Sequence, residues 1–171
     1  MSDDAKKQVP ETRDYSASGA SALGDSRLTG LFAGRYRIEK LLGRGGMGAV
    51  YRAMDTMVGD LVALKTLDLG VAPTEATIER FRREVRLARR ITHPNVARTH
   101  DLGEADGQHY LTMEFVDGGD LESVLEKESG FAPEHAVRVA LAVADGLGAA
   151  HAAGVVHRDL KPANVLVERS G

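Results

Sequence analysis

The chain has 171 residues, 43% of them hydrophobic and 27% charged, the balance of an ordinary globular domain. Its formal net charge of -3 gives no general attraction for nucleic acid or an anionic membrane, and the lack of cysteine excludes disulfides and thiolate zinc sites. No apolar run approaches the roughly 20 residues that span a bilayer, and the N-terminal MSDDAKKQVPETRDYS lacks the apolar core of a signal peptide, so a cytoplasmic location is expected.

Residues 1 to about 33 are rich in Ser, Ala, Gly and Asp and poor in large apolar groups. Such a segment cannot bury enough surface to offset its ordering entropy, and residues 1–34 are expected to form a disordered tail. From Tyr36 the pattern changes, and YRIEKLL, AVYRAMD and LVALKTLD read as strands. The glycines of LLGRGGMGAVY lie between two strand-like runs, which predicts a hairpin and not a strand-to-helix turn. Residues 74–91 are expected to be helical, because Ile78, Phe81, Val85, Ala88 and Ile91 recur at three- and four-residue steps. The other face carries Arg80, Arg82, Arg83, Arg86, Arg89 and Arg90. It reads as a solvated helix face, with a nucleic-acid stripe as the competing reading. His93-Pro94 stops the helix. VARTHDLG and HYLTMEFV then predict two strands around the turn EADGQ. A short helix is expected near Asp120, and a longer one from about Pro133 to Ala153, with Pro at its start and Gly154 beyond its end. Five strands with one helix, followed by helices, describe a small α+β lobe and the start of a helical one.

Three strings carry chemistry. Gly43, Gly45 and Gly48 form G-x-G-x-x-G, with Val50 two residues on. Dinucleotide-binding turns share this spacing, but those glycines open a helix, and here a second strand follows. A flexible hairpin is the plain alternative. A glycine hairpin also lets backbone N–H groups come close to a polyphosphate. Lys65 ends VALK, and its neighbours Val62, Ala63 and Leu64 indicate a half-buried strand where an ammonium needs an anionic partner. Glu84, mid-helix among the arginines, is the expected one. HRDLKPAN then runs from His157 to Asn164, with Asp159 and Asn164 five apart, before the apolar VLV of another strand.

With these strings in this order, the sequence from Arg35 onward resembles the eukaryotic-like (bacterial Hanks-type) serine/threonine protein kinase family. The resemblance implies an α+β fold, with a five-stranded antiparallel N-lobe and one helix over residues 35–116 and the beginning of a helical C-lobe over residues 117–171. It implies a non-specific serine/threonine kinase that moves the γ-phosphoryl group of ATP, with Mg2+, to Ser or Thr hydroxyls of protein substrates. By resemblance, the hairpin Leu42, Gly43, Arg44, Gly45, Gly46, Met47 and Gly48 covers the phosphates. Lys65 holds the α- and β-phosphates and Glu84 anchors Lys65. Asp159 accepts or orients the substrate hydroxyl proton, Asn164 binds Mg2+, and Lys161 approaches the γ-phosphate. Val50, Ala63 and Leu166 would sandwich the adenine, with Met113 controlling access behind it. Glu114 to Val116 would be the hinge that hydrogen-bonds the ring, and Asp120 would reach the ribose. Each of these adenine-pocket residues has plain core or loop as its alternative. DLKPAN points to Ser or Thr as acceptor. His157 is expected to be a packed structural histidine, and the other histidines show no metal-ligand spacing.

The family's Asp-Phe-Gly motif would fall roughly a dozen residues beyond Asn164, past Gly171, and Asp101-Leu102-Gly103 is a decoy in the strand region. The second magnesium ligand, the activation loop and most of the helical lobe are therefore expected to be missing, and the chain alone is expected to transfer little or no phosphoryl. Residues 133–153 are apolar nearly all round, from Ala136 and Val137 through Leu141 to Ala150, which predicts an exposed apolar patch. A homodimer or a complementing partner would then supply what is absent. Arg158 beside Asp159 resembles kinases switched on by activation-loop phosphorylation. A non-catalytic ATP-binding or docking module that regulates another kinase is the alternative of a different class. No nucleic-acid partner is expected.

Overall fold

The computed structural model describes residues 30–45, 48–68 and 74–169; most of the expected tail and the hairpin tip, Gly46 and Met47, lie outside the described residues. Tyr36–Gly45 (β2) and Gly48–Asp55 (β3) fold back on one another with Gly45 opposite Gly48, so the glycines do form a hairpin. A turn leads to Asp60–Thr66 (β4), and Thr99–Ala105 (β5) pairs with Gln108–Glu114 (β6) around Asp106 and Gly107, both at positive φ. Leu31–Phe32 (β1) adds a sixth strand to the five expected, and two residues are too few to leave an alternation signal. The antiparallel order is β1-β2-β3-β4-β6-β5.

The expected helix over residues 74–91 forms as Glu75–Ala88 (α1), with Thr74 as N-cap accepting from the Thr77 N–H at 3.3 Å. It stops before His93-Pro94, and the buried Ile91 sits in the turn beyond it. Of its apolar stripe only Val85 is fully buried, so α1 is loosely held and packs chiefly on β5. Gly118–Asp120 (β7) then pairs with Leu166–Glu168 (β8). Between them lie Leu121–Glu128 (α2), Pro133–Ala152 (α3) and a short 3-10 turn at Pro162–Asn164. No described helix is long and apolar enough to cross a membrane.

Side chains opposite one another in a ladder share a face of the sheet. Tyr36, Ile38, Ala53, Val62, Leu64 and Tyr110 take one face and, with Phe32, make the buried core. Phe32 and Tyr36 meet the ring of Tyr110 edge-on at 5.1 and 5.7 Å. Gly103 is required there, since a Cβ on it would stand 2.4 Å from the Tyr110 ring. The opposite face carries Val50, Arg52, Ala63, Lys65, Leu111 and Met113.

A buried carboxylate ties the end of β3 to the start of β2. Arg35 Nε donates to both oxygens of Asp55 at 2.9 and 3.0 Å, Arg35 Nη2 donates to Oδ2 at 2.6 Å, and the Met57 N–H donates to Oδ1 at 3.0 Å. Asp55 is only 3% exposed, so its charge depends on these donors. The Arg35 hydrogen bonds hold its carboxyl below the usual carboxylate range, against the opposing effect of burial.

The sheet meets the helical part through residues 93–96. A Cβ on Gly146 of α3 would stand 2.7 Å from the Asn95 carbonyl oxygen, so glycine is what allows this approach. His93 Nδ1 accepts from the Asn95 N–H at 3.1 Å, which leaves Nε2 as the donor toward Asp145 Oδ2 at 3.3 Å. Elsewhere α3 is poorly covered. Val137 and Leu141 are 57% and 65% exposed, and the expected apolar patch is present.

Two measurements check this account. Asp55 is charged in the fold and its pKa is depressed, so its stabilisation is complete above the ordinary aspartate value near 4 and lost as pH falls through the lower folded value. Asp55→Asn should lower the melting temperature by roughly 5 °C or more at pH 7 and flatten the acid limb of stability against pH; an unchanged acid limb contradicts the latch. The Val137→Lys/Leu141→Lys double variant should raise the monomer fraction in size-exclusion chromatography without lowering the melting temperature. Unchanged self-association would show that another surface causes it.

Candidate active site

Asp159, Lys161 and Asn164 come together in a short, exposed segment. Arg158 has positive φ (63°), an uncommon conformation for a residue with a side chain, and it turns the chain sharply ahead of Asp159. Pro162 then opens the 3-10 turn that returns Asn164 toward Asp159. Asn164 Nδ2 donates to the Asp159 carbonyl at 2.7 Å and to Asp159 Oδ2 at 3.0 Å. Lys161 Nζ lies 3.0 Å from the same Oδ2. Lys161 first, then Asn164, hold the Asp159 carboxyl below the usual carboxylate range. The group is therefore an anion at neutral pH that accepts hydrogen bonds and orients donors; it is a weak base. Both Asn164 donors are spent on Asp159, which leaves its Oδ1 as a free neutral oxygen donor.

The second set is fixed by strand register. Val50 stands opposite Lys65, Ala63 opposite Met113, and Lys65 opposite Leu111, so Val50, Ala63, Lys65 and Met113 occupy one face. Val62 and Leu64, on either side of Ala63, turn to the core. Lys65 is half-buried. Glu114 ends β6; its carboxylate accepts from the Arg98 N–H at 3.0 Å, and its own N–H donates to the Arg98 carbonyl at 2.8 Å. Phe115 and Val116 leave the ladder before β7 begins, with the Arg52 guanidinium 5.3 Å over the Phe115 ring. A cavity of about 440 Å3 lies on the core face, lined by Arg35, Asp55, Asp60, His100, Asp101 and Glu114 among others, away from Lys65.

The glycines differ in what demands them. Among the described residues, a Cβ on Gly43 or Gly45 would meet nothing within 4 Å. A Cβ on Gly48 would overlap the Thr66 carbonyl oxygen, and its φ is +127°. Leu42 and Arg44 are exposed on the same hairpin.

Two expectations, at Glu84 and His157, need correction, and Asp120 has a local role beside the expected one. Glu84 does not reach Lys65. Its carboxylate, 60% exposed, lies 3.7 Å from Arg80 one turn earlier on α1, and no ion pair joins Lys65 to Glu84 among the described residues. Because α1 is lightly packed, nothing forces its Glu84 face onto the sheet. Asp120 is the N-cap of α2, with Oδ1 accepting from the Ser123 N–H and Oδ2 from the Ser123 hydroxyl, each at 2.8 Å. Capping accounts for its depressed pKa, first through the Ser123 N–H and then the hydroxyl. His157 is exposed, not packed, because no described element covers it. Leu166 lies on β8 opposite Asp120 and is also exposed. The arginines of α1 have acidic neighbours: Arg82 meets Glu75 and Glu79, Arg86 meets Glu79, and Arg89 meets Asp101. Asp101-Leu102-Gly103 lies inside β5.

Among the described residues no group of three or more His, Cys, Asp or Glu side chains could hold a metal ion. Asn164 Oδ1 is a single donor, so protein groups alone make no complete Mg2+ site here.

Comparison with known proteins places this geometry. The family model described as protein kinase domain matches residues 36–171. Serine/threonine-protein kinase PknH of Mycobacterium bovis is 45% identical over 145 residues, covering 85% of this chain and 24% of that protein. Probable serine/threonine-protein kinase PknB of Lactococcus lactis is 42% identical over 142 residues, covering 82% and 23%. The crystal structure of the Mycobacterium tuberculosis PknI kinase domain superposes with a TM-score of 0.70 at 35% identity, covering 81% of this chain and 56% of that one. The chain thus spans about a quarter of the curated relatives it matches and little more than half of a solved kinase domain. The chain belongs to the protein kinase domain family, and the relatives it matches are serine/threonine-protein kinases.

Proposed function

We propose that this chain forms the nucleotide-binding lobe, residues 35–116, and the catalytic-loop segment, residues 117–171, of a serine/threonine protein kinase acting on Ser or Thr of other proteins. The observation that carries this reading is the cluster in which Lys161 and Asn164 both bond Asp159 Oδ2. An ionised carboxylate flanked by an ammonium suits a reaction whose transition state is loose and rich in negative charge. Asp159 accepts the hydrogen bond of the substrate hydroxyl and orients its oxygen toward the γ-phosphorus. Lys161 carries positive charge to the transferring group. Lys65 meets the α- and β-phosphates from the sheet, with the N–H groups of the glycine hairpin above them. Val50, Ala63 and Leu166 take the adenine faces, Met113 lies behind, and the backbone from Glu114 to Val116 meets the ring edge. Asp120, already serving as a cap, keeps lone pairs that can reach the ribose. Asn164 Oδ1 would be this chain's ligand to a Mg2+ bound with the phosphates, whose charge the ion would neutralise.

Glu84 would join Lys65 when α1 turns. Its present partner Arg80 is an exposed i,i+4 pair, an interaction of little strength, so the exchange costs little. The donor set is too small for vigorous turnover by this chain alone. A cytoplasmic setting supplies ATP.

The intact chain should bind Mg-ATP in a titration with a fluorescent analogue, and Lys65→Met should weaken binding roughly ten- to hundredfold through loss of a charge-assisted bond. Gly45→Ala should weaken binding at unchanged melting temperature, whereas Gly48→Ala should lower the melting temperature itself. Equal affinity in wild type and Lys65→Met would count against this reading.

A further inference from the structure

Thr66 follows Lys65 directly but faces the other way, onto the core side of β4 beside Leu64. It is 3% exposed. The regular β3–β4 pairing is registered from Val50 opposite Lys65 to Asp55 opposite Asp60. One residue closer to the hairpin tip, the Thr66 side chain makes both contacts to the partner strand: Oγ1 accepts from the Ala49 N–H and donates to the Ala49 carbonyl, each at 3.2 Å. A hydroxyl has the donor and the acceptor this double role needs. Ala49 is itself buried, so its two backbone groups have little recourse to water. Beside it the Thr66 carbonyl comes so close to Gly48 that no Cβ fits there. One residue therefore holds both Gly48 and Ala49, the base of the glycine hairpin, while its chain neighbour presents the Lys65 ammonium on the opposite face.

We propose that Thr66 is a positioning residue that pins the glycine hairpin at a fixed distance from Lys65, and that its hydroxyl, not its methyl group, does so. A β-branched residue filling core volume is the competing account, and it makes the opposite prediction for two conservative changes. Thr66→Val keeps shape and strand propensity but leaves the Ala49 N–H and carbonyl buried without partners. Thr66→Ser keeps the hydroxyl and removes the methyl.

The proposal rests on the nucleotide-binding reading for its functional arm and is independent of it for its structural arm. Amide hydrogen exchange at Gly48, Ala49 and Val50 in the intact chain, without nucleotide, should be at least about tenfold faster for Ala49 in Thr66→Val and within about twofold of wild type in Thr66→Ser. Titration with Mg-ADP should show about tenfold weaker binding for Thr66→Val and wild-type binding for Thr66→Ser. Unchanged Ala49 exchange in Thr66→Val overturns the proposal, as does Thr66→Ser losing protection as far as Thr66→Val. Should Thr66→Val fail to fold, the Thr66→Ser exchange decides alone: wild-type protection supports the pin, and lost protection assigns the site to packing. If wild type binds no Mg-ADP, the nucleotide reading fails while the exchange result still stands or falls on its own.

Discussion

In the ladder joining β3, β4 and β6, Val50 stands opposite Lys65, and Ala63 stands opposite both Arg52 and Met113. Because strand side chains alternate, this register commits Val62 and Leu64 to the aromatic core and the residues between them to the other face. A slip of one residue would bury the lysine and expose the core, so the hydrophobic demand that folds the sheet also places the ammonium. Stability and site are thus set by one pairing. The Arg35–Asp55 latch closes the far end of the same strands, and the glycine hairpin prolongs their near end.

The helical part is tied to the sheet at few points, which gives each of them weight. Residues 93–96 approach α3 only because position 146 has no side chain, and the His93–Asp145 contact secures the same place. From α3 the chain passes through the loop that holds Asp159, Lys161 and Asn164 and only then enters β8, which pairs with β7. Asp159, Lys161 and Asn164 are all exposed, and their mutual bonds fix an ammonium and an amide on one carboxylate oxygen. The loosely held α1 is the contrasting case. Its carboxylate at position 84 has only an exposed arginine one turn away for company, a weakly favourable contact.

Much of this was legible from residue order. Alternation in YRIEKLL and the strand-like runs AVYRAMD and LVALKTLD gave β2, β3 and β4, the last of which buries Val62, Ala63 and Leu64 in succession. Pro133 and Gly154 bracketed α3 to within a residue. HRDLKPAN was legible as a cluster because a loop has no packing reason to combine His, Arg, Asp, Lys and Asn. What stayed hidden depends on partners distant in sequence or on local competition. That Asp120 caps α2 depends on Ser123 three residues on, a local pairing that the motif does not announce. Glu84 looked like the partner of Lys65, but pairing across elements depends on how firmly the helix is seated, which periodicity does not encode. The double hydrogen bond from Thr66 to Ala49 spans 17 positions and leaves no mark on the hydrophobic pattern.

The central claim is that the ammonium groups of Lys65, on the sheet, and Lys161, on the catalytic loop, address the same triphosphate. Labelling with an ATP acyl phosphate, which transfers its acyl group to lysines beside the bound phosphates, followed by peptide mapping, tests it directly. The account predicts acylation concentrated on Lys65 and Lys161, with both suppressed together at one concentration of competing ATP. Labelling spread over Lys40 and Lys127 as strongly as over those two, or suppressed at neither, would contradict it.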